Sequence, residues 1–380
     1  MSKQPLKVIF FVSVDWFFCS HFIGLAIALR DAGYEVVVLT SITQKKEQIE
    51  AERFRLIPLP LDRDSLNPFS SLLVLYRVYR IYRRERPALV HHFALKPILF
   101  GGVAARLSSV PHTLNSIVGA GYTSTSTGVL ARCLRPLLRN ALRLIMNPAG
   151  SKVIFENPDD LAECVEDRQV KSDAAVLIRG SGVELERYSP AAAVLGVPIV
   201  ILVARLLWDK GIGEFVEAAR ILHNSGVAAR FVIVGDVDLG NRASIHKSTL
   251  DRWREEGLVE FWGFRADMPE VLAQASIACL PSYREGLPKS LLEAMAASLP
   301  CVTTDVHGCR EAVRHQDNGL LIPARDTQAL AGALKQLILN PQLRQRMGMR
   351  GRQRAEEEFS SAVVIKQTLE LYERMFICEN

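Results

Sequence analysis

An alternation of apolar, strand-like runs with amphipathic helical stretches continues along the whole chain, and it constrains the fold more than any other feature. Near-continuous Val, Ile and Leu runs between helices predict parallel strands that are covered on both faces. In the first half, such runs occur at residues 8–14, 35–40, 55–60, 88–93, 112–117, 152–156 and 175–178. We therefore expect an α/β protein built on parallel sheets.

The same rhythm restarts after a polar stretch that ends at Pro190. Further strand-like runs follow at residues 198–204, 230–235, 258–262, 276–280, 300–304 and 319–322. In a chain of 380 residues, two series of similar length predict two Rossmann-like, doubly wound domains that face each other across a cleft. We place the first domain at residues 1–190 and the second at 191–360, followed by a C-terminal helix at 361–380.

Composition excludes several other classes of protein. Hydrophobic residues make up 49% and charged residues 23% of the chain, which argues against disorder, collagen and coiled coil. The cysteines are scattered without a C-x-x-C pair, so we expect neither a cysteine zinc site nor a disulfide framework, and a reducing cytosol fits. No run of about 18 apolar residues is present. Asp15 interrupts the first apolar run, which we interpret as a strand rather than a secretion signal.

The charge of the chain is unevenly distributed. Residues 1–146 contain 19 Lys and Arg against 9 Asp and Glu, whereas the remainder contains 27 against 32. A basic half joined to a mildly acidic half indicates that the first half meets an anionic partner or surface.

The most informative loop follows the strand-like run 276–280, since ligands of doubly wound sheets bind beyond the carboxyl ends of strands. Pro288 suits the first turn of a helix, whose start directs backbone N–H groups and partial positive charge at the cleft. Gly286 lets the backbone approach a phosphate closely. Glu285 precedes the helix and Glu293 lies about a turn and a half inside it, so they can contact different parts of one ligand. The alternative is an ordinary helix start with a dipole-favoured acid and a surface glutamate.

Two cations follow the first strand of the second domain. Arg205 comes directly after that strand, and Lys210 lies just before a helix. A planar guanidinium fork and a compact ammonium at the carboxyl edge of a buried strand suit a diphosphate. Alternatively, both are solvated cations of a loop.

Together these segments resemble the family-4 retaining glycosyltransferases of the GT-B fold. The resemblance covers nearly the whole chain and is sharpest from Lys152 onward. The matching motifs are I-R-G-S-G-V-E at 178–184, A-R-L-x-x-x-K-G at 204–211, E-x7-E at 285–293, T-D-x-x-G-x-x-E at 304–311 and N-G-L-L-I-P at 318–323.

The resemblance implies a mechanism as well as a fold. Arg205 and Lys210 would hold the diphosphate of a sugar nucleotide, and Glu285 would contact hydroxyl groups of the donor sugar. The remaining donor-binding residues that it implies are Gly263, Phe264 and Arg265 near the base, Gly286 and Leu287 through backbone N–H groups, and Glu293 at the ribose. The last helix would cross back onto the first domain. Retention in this family is thought to run by front-face attack on the sugar.

The first half resembles the branch of the family that elongates polyprenyl-diphosphate-linked glycans. The residues that carry this likeness, and that we take as acceptor-side candidates, are His21, His91, His92, Lys96 and Tyr122. Many family members have a histidine near the end of the strand at 112–117, where this chain has Asn115. A catalytic histidine is therefore an open question, and each of the three histidines is equally compatible with a core or capping role.

Two basic segments account for the charge of the first half. Residues 71–87 interleave arginines with Tyr76, Tyr79 and Tyr82, and residues 129–146 gather arginines on one helix face opposite leucines. Such helices suit the surface of an anionic membrane, and the alternative is a packed surface helix with solvated arginines. No nucleic-acid-binding motif accompanies the charge, so we expect no nucleic acid partner.

Two D-x-D triplets raise the question of a divalent metal. They lie at Asp62–Asp64 and Asp236–Asp238, both in turn-rich stretches. We interpret them as turn and capping residues and expect no metal and no cofactor, because cations and a helix start can stabilise a leaving diphosphate by themselves.

These observations predict a cytoplasmic glycosyltransferase, peripheral on the inner face of the membrane, that moves a sugar from a nucleotide donor, most commonly a UDP-sugar, to a polyprenyl-diphosphate-linked acceptor. A GT-B sugar epimerase or phosphorylase is the nearest alternative. A nicotinamide oxidoreductase is a weaker one, because the G-x-G-x-x-G fingerprint is missing after the first strand. A two-domain binding protein would have no use for the E-x7-E motif beside paired cations.

Overall fold

The computed structural model describes residues 5–61, 68–118, 139–190, 196–238, 240–241 and 243–377. It divides the chain into two compact units. Unit 1 extends to Ser181 and also includes the segment from Val364 onward, and unit 2 is Gly182–Val363. The division after Ser181 lies earlier than the expected boundary at residue 190.

Unit 1 contains a seven-stranded parallel sheet in the order β3-β2-β1-β4-β5-β6-β7. Its strands are β1 (Lys7–Val14), β2 (Glu35–Ser41), β3 (Arg55–Pro58), β4 (Leu89–Phe93), β5 (His112–Ile117), β6 (Ser151–Phe155) and β7 (Ala175–Leu177). Its helices are Asp15–His21, Ile23–Asp31, Lys46–Ala51, Pro68–Glu85, Leu95–Leu107 and Pro158–Glu166, and residues 139–146 are also helical.

Unit 2 contains a six-stranded parallel sheet in the order β10-β9-β8-β11-β12-β13. Its strands are β8 (Ile199–Val203), β9 (Arg230–Val234), β10 (Glu260–Gly263), β11 (Ile277–Leu280), β12 (Cys301–Thr304) and β13 (Gly319–Ile322). Its helices are Ile212–Asn224, Lys247–Glu256, Met268–Leu272, Lys289–Ala296, Cys309–Ala312, Thr327–Leu339 and Pro341–Glu358, with short 3₁₀ turns at Leu185–Arg187 and Trp208–Lys210.

The central strands are buried on both faces, which explains their continuous apolar sequences. Every residue of β4, β5, β11 and β12 is buried. The predicted Rossmann-like α/β architecture is therefore confirmed, and each of the predicted strands is present to within a residue or two at its ends.

Each sheet reverses its strand order beside its first strand. In unit 1, β1 lies between β2 and β4, and in unit 2, β8 lies between β9 and β11. At such a reversal, the loops after the two neighbouring strands separate and leave a crevice at the carboxyl edge of the sheet. The loops after β1 and β4, and those after β8 and β11, are therefore the places where each unit can bind a ligand.

The last helix, Ser361–Ile377, contributes to the core of unit 1 from Val364 onward. Leu371, Tyr372 and Met375 are buried in the same apolar cluster as Phe10 of β1. The helix thus supplies one of the layers that cover the first sheet.

A short helix, Asp15–His21, follows β1 directly. Asp15 is fully buried at its start and accepts hydrogen bonds from the backbone N–H groups of Thr43, Gln44 and Lys45. No helix among the described residues is long and apolar enough to cross a membrane.

Candidate active site

Two loops of unit 2 meet at the strand-order reversal between β8 and β11. The loop after β8 carries Arg205 and Lys210, and the loop after β11 leads to the helix Lys289–Ala296. The backbone N–H of Tyr283 in the second loop donates to the carbonyl of Asp209 in the first, at 2.9 Å. This contact holds the two loops together, so their side chains form one site.

Lys210 and Glu285 form the charged centre of this site. The Lys210 ammonium donates to the Glu285 carboxylate, with 2.6 Å between Nζ and Oε1. The Ser282 hydroxyl donates to the same oxygen, also at 2.6 Å. The side chains of Lys210 and Glu285 are only 15% and 12% exposed, so water screens their attraction incompletely. The structure therefore brings together two residues that the sequence placed 75 positions apart.

The backbone around Gly286 is packed against a third loop, the one after β12. A Cβ atom on Gly308 would lie 2.2 Å from the carbonyl oxygen of Gly286, and the N–H of Glu285 donates to the His307 carbonyl at 3.3 Å. The T-D-x-x-G-x-x-E segment thus supports the start of the helix Lys289–Ala296, with Pro288 at the N-cap position. The partial positive charge of that helix start lies directly after Glu285 and Gly286.

A buried thiol beneath the site takes no part in its charge. Burial, together with the negative charge of Glu285, raises the pKa of Cys309 to about 12. The thiol is therefore neutral near pH 7. Its side chain is buried and hydrogen-bonded to Thr303 and Thr304.

Glu293 lies inside the helix Lys289–Ala296 and shares a hydrogen bond with Tyr188. Burial raises the pKa of the Glu293 carboxyl. Burial and the neighbouring carboxylate also raise the pKa of Tyr188, which is 5% exposed. Arg352 donates to the backbone carbonyls of Tyr188 and Ala296, at 2.8 and 2.6 Å, and so ties Tyr188 to the helix.

Arg205 is not in direct contact with the Lys210–Glu285 pair. Its guanidinium pairs with Asp238 of the loop after β9, with 2.5 Å between Nη1 and Oδ2. Asp238 belongs to the D-x-D triplet at 236–238, and Asp236 accepts a hydrogen bond from the backbone N–H of Val237. The Asp238 carboxylate thus takes part in an ion pair, and that of Asp236 in a local contact with the backbone. The triplet at 62–64 lies outside the described residues.

The segment Gly263–Arg265 ends β10 at the carboxyl edge of the sheet. The Phe264 side chain is 75% exposed, so its ring presents a free apolar face. The Arg265 guanidinium turns to Asp267, with 2.7 Å between Nε and Oδ1, and this ion pair lowers the pKa of Asp267 to about 2. Of the three candidates, Phe264 is therefore the one whose side chain lies open for stacking.

The structure places two of the candidate histidines in the core of unit 1. His91 and His92 lie in β4 and are 1% and 0% exposed. His91 is hydrogen-bonded to Tyr372 and Ser116, at 2.8 and 2.7 Å. Both rings are therefore hydrogen-bonded groups of the core, which is one of the two roles that the sequence left open for them.

His92 has a similar surrounding on the other face of the sheet. Its ring nitrogens lie 3.1 Å from the hydroxyl of Tyr82 and 2.8 Å from the side-chain oxygen of Asn115. Burial lowers the pKa of His92 to about 4, and it lowers the pKa of His91 well below its usual value. Both rings are therefore neutral near pH 7.

The other acceptor-side candidates have different surroundings. His21 is half-buried at the end of the helix Asp15–His21, where it contacts Ser20 at 2.7 Å and the ring of Phe17. Lys96 is half-buried in the first turn of the helix Leu95–Leu107 and lines a cavity at the carboxyl edge of the sheet. Tyr122 lies outside the described residues.

In the first basic segment, exposed apolar residues and exposed arginines occupy different halves of one helix. Tyr82, expected on the surface, is buried, whereas Tyr76 is 53% exposed. In the helix Pro68–Glu85, the exposed apolar residues lie in the first half and the exposed arginines in the second. These residues are Phe69, Leu72, Leu73 and Tyr76, followed by Arg77, Arg80, Arg83 and Arg84.

The second basic segment is described only from residue 139. Leu142 and Ile145 are buried, Leu144 is 66% exposed, and Arg139 forms an ion pair with Asp167. Arg132 and Arg135 lie outside the described residues.

Sequence reasoning missed Tyr188 and Ser282, which hold the two glutamates of the E-x7-E motif. Tyr188 lies in the polar stretch before the second domain, where nothing marks it as a partner of a residue 105 positions later. Ser282 could have been found, because it lies three residues before Glu285 in the same loop.

Two family models match the chain. One, described as glycosyl transferase 4-like, matches residues 7–157, and the other, described as glycosyl transferases group 1, matches residues 197–340. These matches fall on the two sheets separately and together cover most of the chain.

Two curated relatives resemble the chain along much of its length. An N,N'-diacetylbacillosaminyl-diphospho-undecaprenol alpha-1,3-N-acetylgalactosaminyltransferase of Campylobacter jejuni is 27% identical over 92% of this chain and 93% of its own length. A UDP-Gal:alpha-D-GlcNAc-diphosphoundecaprenol alpha-1,3-galactosyltransferase of Escherichia coli is 28% identical over 68% of each chain.

Solved structures share the architecture. Anabaena HepE in complex with UDP and glucose superposes with a TM-score of 0.75 at 19% identity, over 97% of this chain and 99% of HepE. WaaG, a glycosyltransferase involved in lipopolysaccharide biosynthesis, gives a TM-score of 0.73 at 18% identity, over 95% and 98% of the two chains. At these identities, the likeness establishes the fold.

Proposed function

Because this chain belongs to the glycosyltransferases of the GT-B fold, we propose that it is a retaining enzyme that moves a hexose or N-acetylhexosamine from a nucleotide-diphosphate donor to a polyprenyl-diphosphate-linked sugar. The donor is a UDP-sugar in this proposal, and the product is a precursor of a surface glycan. The names of the two curated relatives, which specify undecaprenyl-diphosphate-linked acceptors, support this choice of acceptor.

The observation that carries the proposal is the ion pair between Lys210 and Glu285 at the start of a helix. Breaking a glycosyl–phosphate bond places negative charge on the leaving diphosphate and positive charge on the sugar. An ammonium and a carboxylate held 2.6 Å apart can each stabilise one of these charges. Since a backbone hydrogen bond already joins the two loops, donor binding has to exchange the partners of these side chains but not to rearrange the loops.

Without donor, Glu285 is the counter-ion of Lys210. A bound diphosphate would take over that ammonium, and the Glu285 carboxylate would turn to hydroxyl groups of the donor sugar, held by Ser282. Arg205 would join the diphosphate by leaving Asp238, whose ion pair with it is partly exposed, with side chains 44% and 22% exposed. Exposed ion pairs cost little to exchange.

The rest of the donor has a site in the same unit. Glu293 would accept hydrogen bonds from ribose hydroxyl groups, because a carboxylate accepts two hydroxyl donors at once. The exposed ring of Phe264 would stack on the base. Gly286 and Leu287 would offer backbone N–H groups to the diphosphate, aided by the helix that follows.

Transfer would need no metal in this proposal. Lys210, Arg205 and the start of the helix Lys289–Ala296 supply positive charge for the leaving group. Retention would follow from attack of the acceptor on the same face that the diphosphate leaves, with a phosphate oxygen taking the acceptor's proton.

The acceptor would bind to unit 1 at the inner face of an anionic membrane. The helix Pro68–Glu85 exposes apolar side chains in its first half and arginines in its second half, and both kinds of group favour contact with an anionic lipid surface. The strongly basic composition of residues 1–146 supports the same orientation. The protein would therefore be cytoplasmic and peripheral.

The experiment is a transfer assay with purified protein, a panel of nucleotide sugars and a polyprenyl-diphosphate-linked sugar, run with and without EDTA. We expect a new glycosidic bond of retained configuration and equal rates in both buffers. Lys210→Met and Glu285→Gln should each lower kcat/KM by about 100-fold or more, while the exposed control Lys247→Met should not. Failure of every donor to react, or parental rates in both variants, would refute the proposal.

A further inference from the structure

The second glutamate of the E-x7-E motif is held by a tyrosine from a distant segment of unit 2. The Tyr188 hydroxyl donates a hydrogen bond to the Glu293 carboxylate. Tyr188 is 5% exposed, and its ring belongs to the same apolar cluster as Leu292 and Met295 of the helix Lys289–Ala296. The hydroxyl is therefore the polar end of a buried ring, and it meets the carboxylate that we assign to the ribose.

The backbone of Tyr188 is fixed to the same helix. Arg352 donates to the Tyr188 carbonyl at 2.8 Å and to the Ala296 carbonyl, at the end of that helix, at 2.6 Å. The N–H of Tyr188 donates to the Leu185 carbonyl at 3.1 Å, which closes the 3₁₀ turn before it. The tyrosine is thus held at its ring and at its backbone, so its hydroxyl keeps a fixed position relative to the carboxylate.

The segment that leads to Tyr188 is anchored at its other end as well. The N–H of Val183 donates to the Phe359 carbonyl at 2.9 Å, and the N–H of Ser361 donates to the Val183 carbonyl at 3.0 Å. A Cβ atom on Gly182 would lie 2.7 Å from the Cα atom of Ser361, so the two backbones are in close contact. Residues 183–188 are therefore attached to the rest of unit 2 at both ends.

The tyrosine hydroxyl favours the ionised form of a carboxylate that burial disfavours. Burial raises the pKa of Glu293, whereas the hydrogen bond from Tyr188 lowers it. Three charged neighbours also act on this group: Lys289 and Arg187 lower its pKa, and Glu184 raises it. A hydrogen bond, unlike a distant charge, also has a direction, so it fixes which lone pairs of the carboxylate stay available.

Recognition of a ribose by one carboxylate depends on both properties. An ionised carboxylate has about four acceptor positions, of which the two neighbouring ribose hydroxyl groups need two. Tyr188 takes one position and leaves enough for both. A protonated carboxyl group has lost part of this acceptor capacity. Glu293 must therefore be ionised and correctly oriented to accept from both hydroxyl groups.

We propose that Tyr188 is a positioning residue for the donor nucleotide: its hydroxyl holds the Glu293 carboxylate so that both ribose hydroxyl groups can donate to it, and the site thereby distinguishes a ribonucleotide from a deoxyribonucleotide. This inference rests on the proposed function, which assigns Glu293 to the ribose, and adds the residue that prepares it. Tyr188 acts through Glu293 in this assignment and does not itself contact the nucleotide.

The first test compares UDP with dideoxy-UDP, which lacks both ribose hydroxyl groups, by calorimetry in mildly alkaline buffer. Tyr188→Phe should weaken UDP binding about tenfold, because the ribose then meets a carboxylate that is no longer held in place, and dideoxy-UDP binding by about twofold at most. The matched control Tyr372→Phe removes a buried hydroxyl of unit 1 that contacts His91 and should change neither affinity. An equal loss for both nucleotides would show general damage to the site and contradict the positioning role.

A double-variant cycle tests whether Tyr188 acts through Glu293. In Glu293→Ala, UDP and dideoxy-UDP should bind with similar affinity, and adding Tyr188→Phe should change UDP binding by less than about twofold. A further loss of about tenfold in the double variant would mean that the tyrosine acts independently of the glutamate, and the inference would be wrong.

The pH dependence gives a readout that a purely structural role would not change. The ratio of the two affinities is measured at a series of pH values, because the titration of the phosphate groups is common to both nucleotides and cancels. In the parent, the preference for UDP should fall as the pH drops through the pKa of Glu293. In Tyr188→Phe it should fall at a higher pH, since the carboxylate has lost a hydrogen bond that lowers its pKa.

The outcomes separate this inference from the proposed function. Identical pH profiles in the parent and in Tyr188→Phe would refute the positioning role. A parent that binds UDP and dideoxy-UDP equally would also refute it, while the nucleotide site itself would stand. If the parent binds neither nucleotide, the proposed function fails and this inference fails with it.

Discussion

Replacing Gly211 by alanine tests how tightly the two loops of the candidate active site are packed. Gly211 lies between Lys210 and the helix Ile212–Asn224, with φ of 69° and ψ of 27°. A Cβ atom at this position would lie 2.1 Å from the carbonyl oxygen of Pro281 and 2.7 Å from its carbonyl carbon. Since the obstacle is backbone, one of the two loops has to move.

The free-energy cost has two parts that can be measured separately. Placing alanine in the left-handed conformation costs about 1–2 kcal/mol, and forcing a methyl group into a packed region costs a further 1–3 kcal/mol, roughly. Gly226 and Gly257 are matched controls, because both have φ of 69° and neither Cβ would meet an atom within 4 Å. Gly226→Ala and Gly257→Ala should show only the first part, and Gly211→Ala should show both.

The assay is guanidinium-induced unfolding followed by tryptophan fluorescence. Three of the four tryptophans, Trp208, Trp253 and Trp262, lie in unit 2, so the signal reports mainly on that unit. Gly211→Ala should also weaken UDP binding, because a moved loop separates Lys210 from Glu285. If Gly211→Ala unfolds within about 0.5 kcal/mol of the two controls, the close packing of the loops is not a constraint and the reasoning is wrong.

Three further predictions concern Asp15 in unit 1, Glu293 in unit 2 and two exposed apolar side chains of unit 1. Asp15→Asn should destabilise unit 1 by about 1.5–3 kcal/mol, because an amide cannot accept all the backbone donors that the carboxylate accepts. Burial opposes ionisation of Asp15, but hydrogen bonds from Thr43 and the neighbouring backbone lower its pKa. The ionised carboxylate therefore stabilises the fold above the pKa of the unfolded chain, and this stabilisation is lost as the pH falls through the lowered pKa of the folded protein. Urea unfolding measured at a series of acidic pH values should show this loss in the parent and not in Asp15→Asn. The pKa of Glu293 is raised instead, so the affinity for a UDP-sugar, whose diphosphate does not titrate near neutral pH, should fall in the parent as the pH drops through that raised pKa. In Glu293→Gln this fall should be absent, and calorimetry at a series of pH values measures both. Finally, Phe69→Ser with Leu73→Ser should weaken sedimentation with anionic vesicles by about tenfold or more. Leu339→Ser, which changes an exposed leucine of unit 2, should leave it unchanged.

The sequence predicts the sheets and the centre of the candidate site because both depend on local patterns. Buried parallel strands need continuous apolar residues, and a loop that follows such a strand must lie at the carboxyl edge. Lys210 and Glu285 could therefore be assigned to neighbouring loops before their contact was seen. The contact with Ser282 and the pairing of Arg205 with Asp238 depend on side-chain directions within those loops, which no spacing specifies.

Sequence patterns cannot identify the hydrogen-bond partners of buried polar groups. His91 is bonded to Tyr372, 281 residues away along the chain. Tyr188 is likewise remote from Glu293. In such pairs, each member looks like an ordinary polar residue of its own segment, and only the tertiary fold shows that burial has to be offset by a specific hydrogen bond.

The H-H-F-A-L-K-P segment illustrates why a motif does not by itself identify a catalytic residue. Within β4, His91 and His92 point to opposite faces of a sheet that is covered on both sides, so both are buried and bonded to neighbouring elements. A Cβ atom on Gly101 would lie 2.4 Å from the His92 ring, so the helix Leu95–Leu107 packs directly on that ring. The histidines thereby fix the strand and the helix on either side of Ala94. Lys96, just beyond the carboxyl end of the strand, is the residue of the motif that this arrangement leaves at a cavity, and its position depends on the two buried histidines.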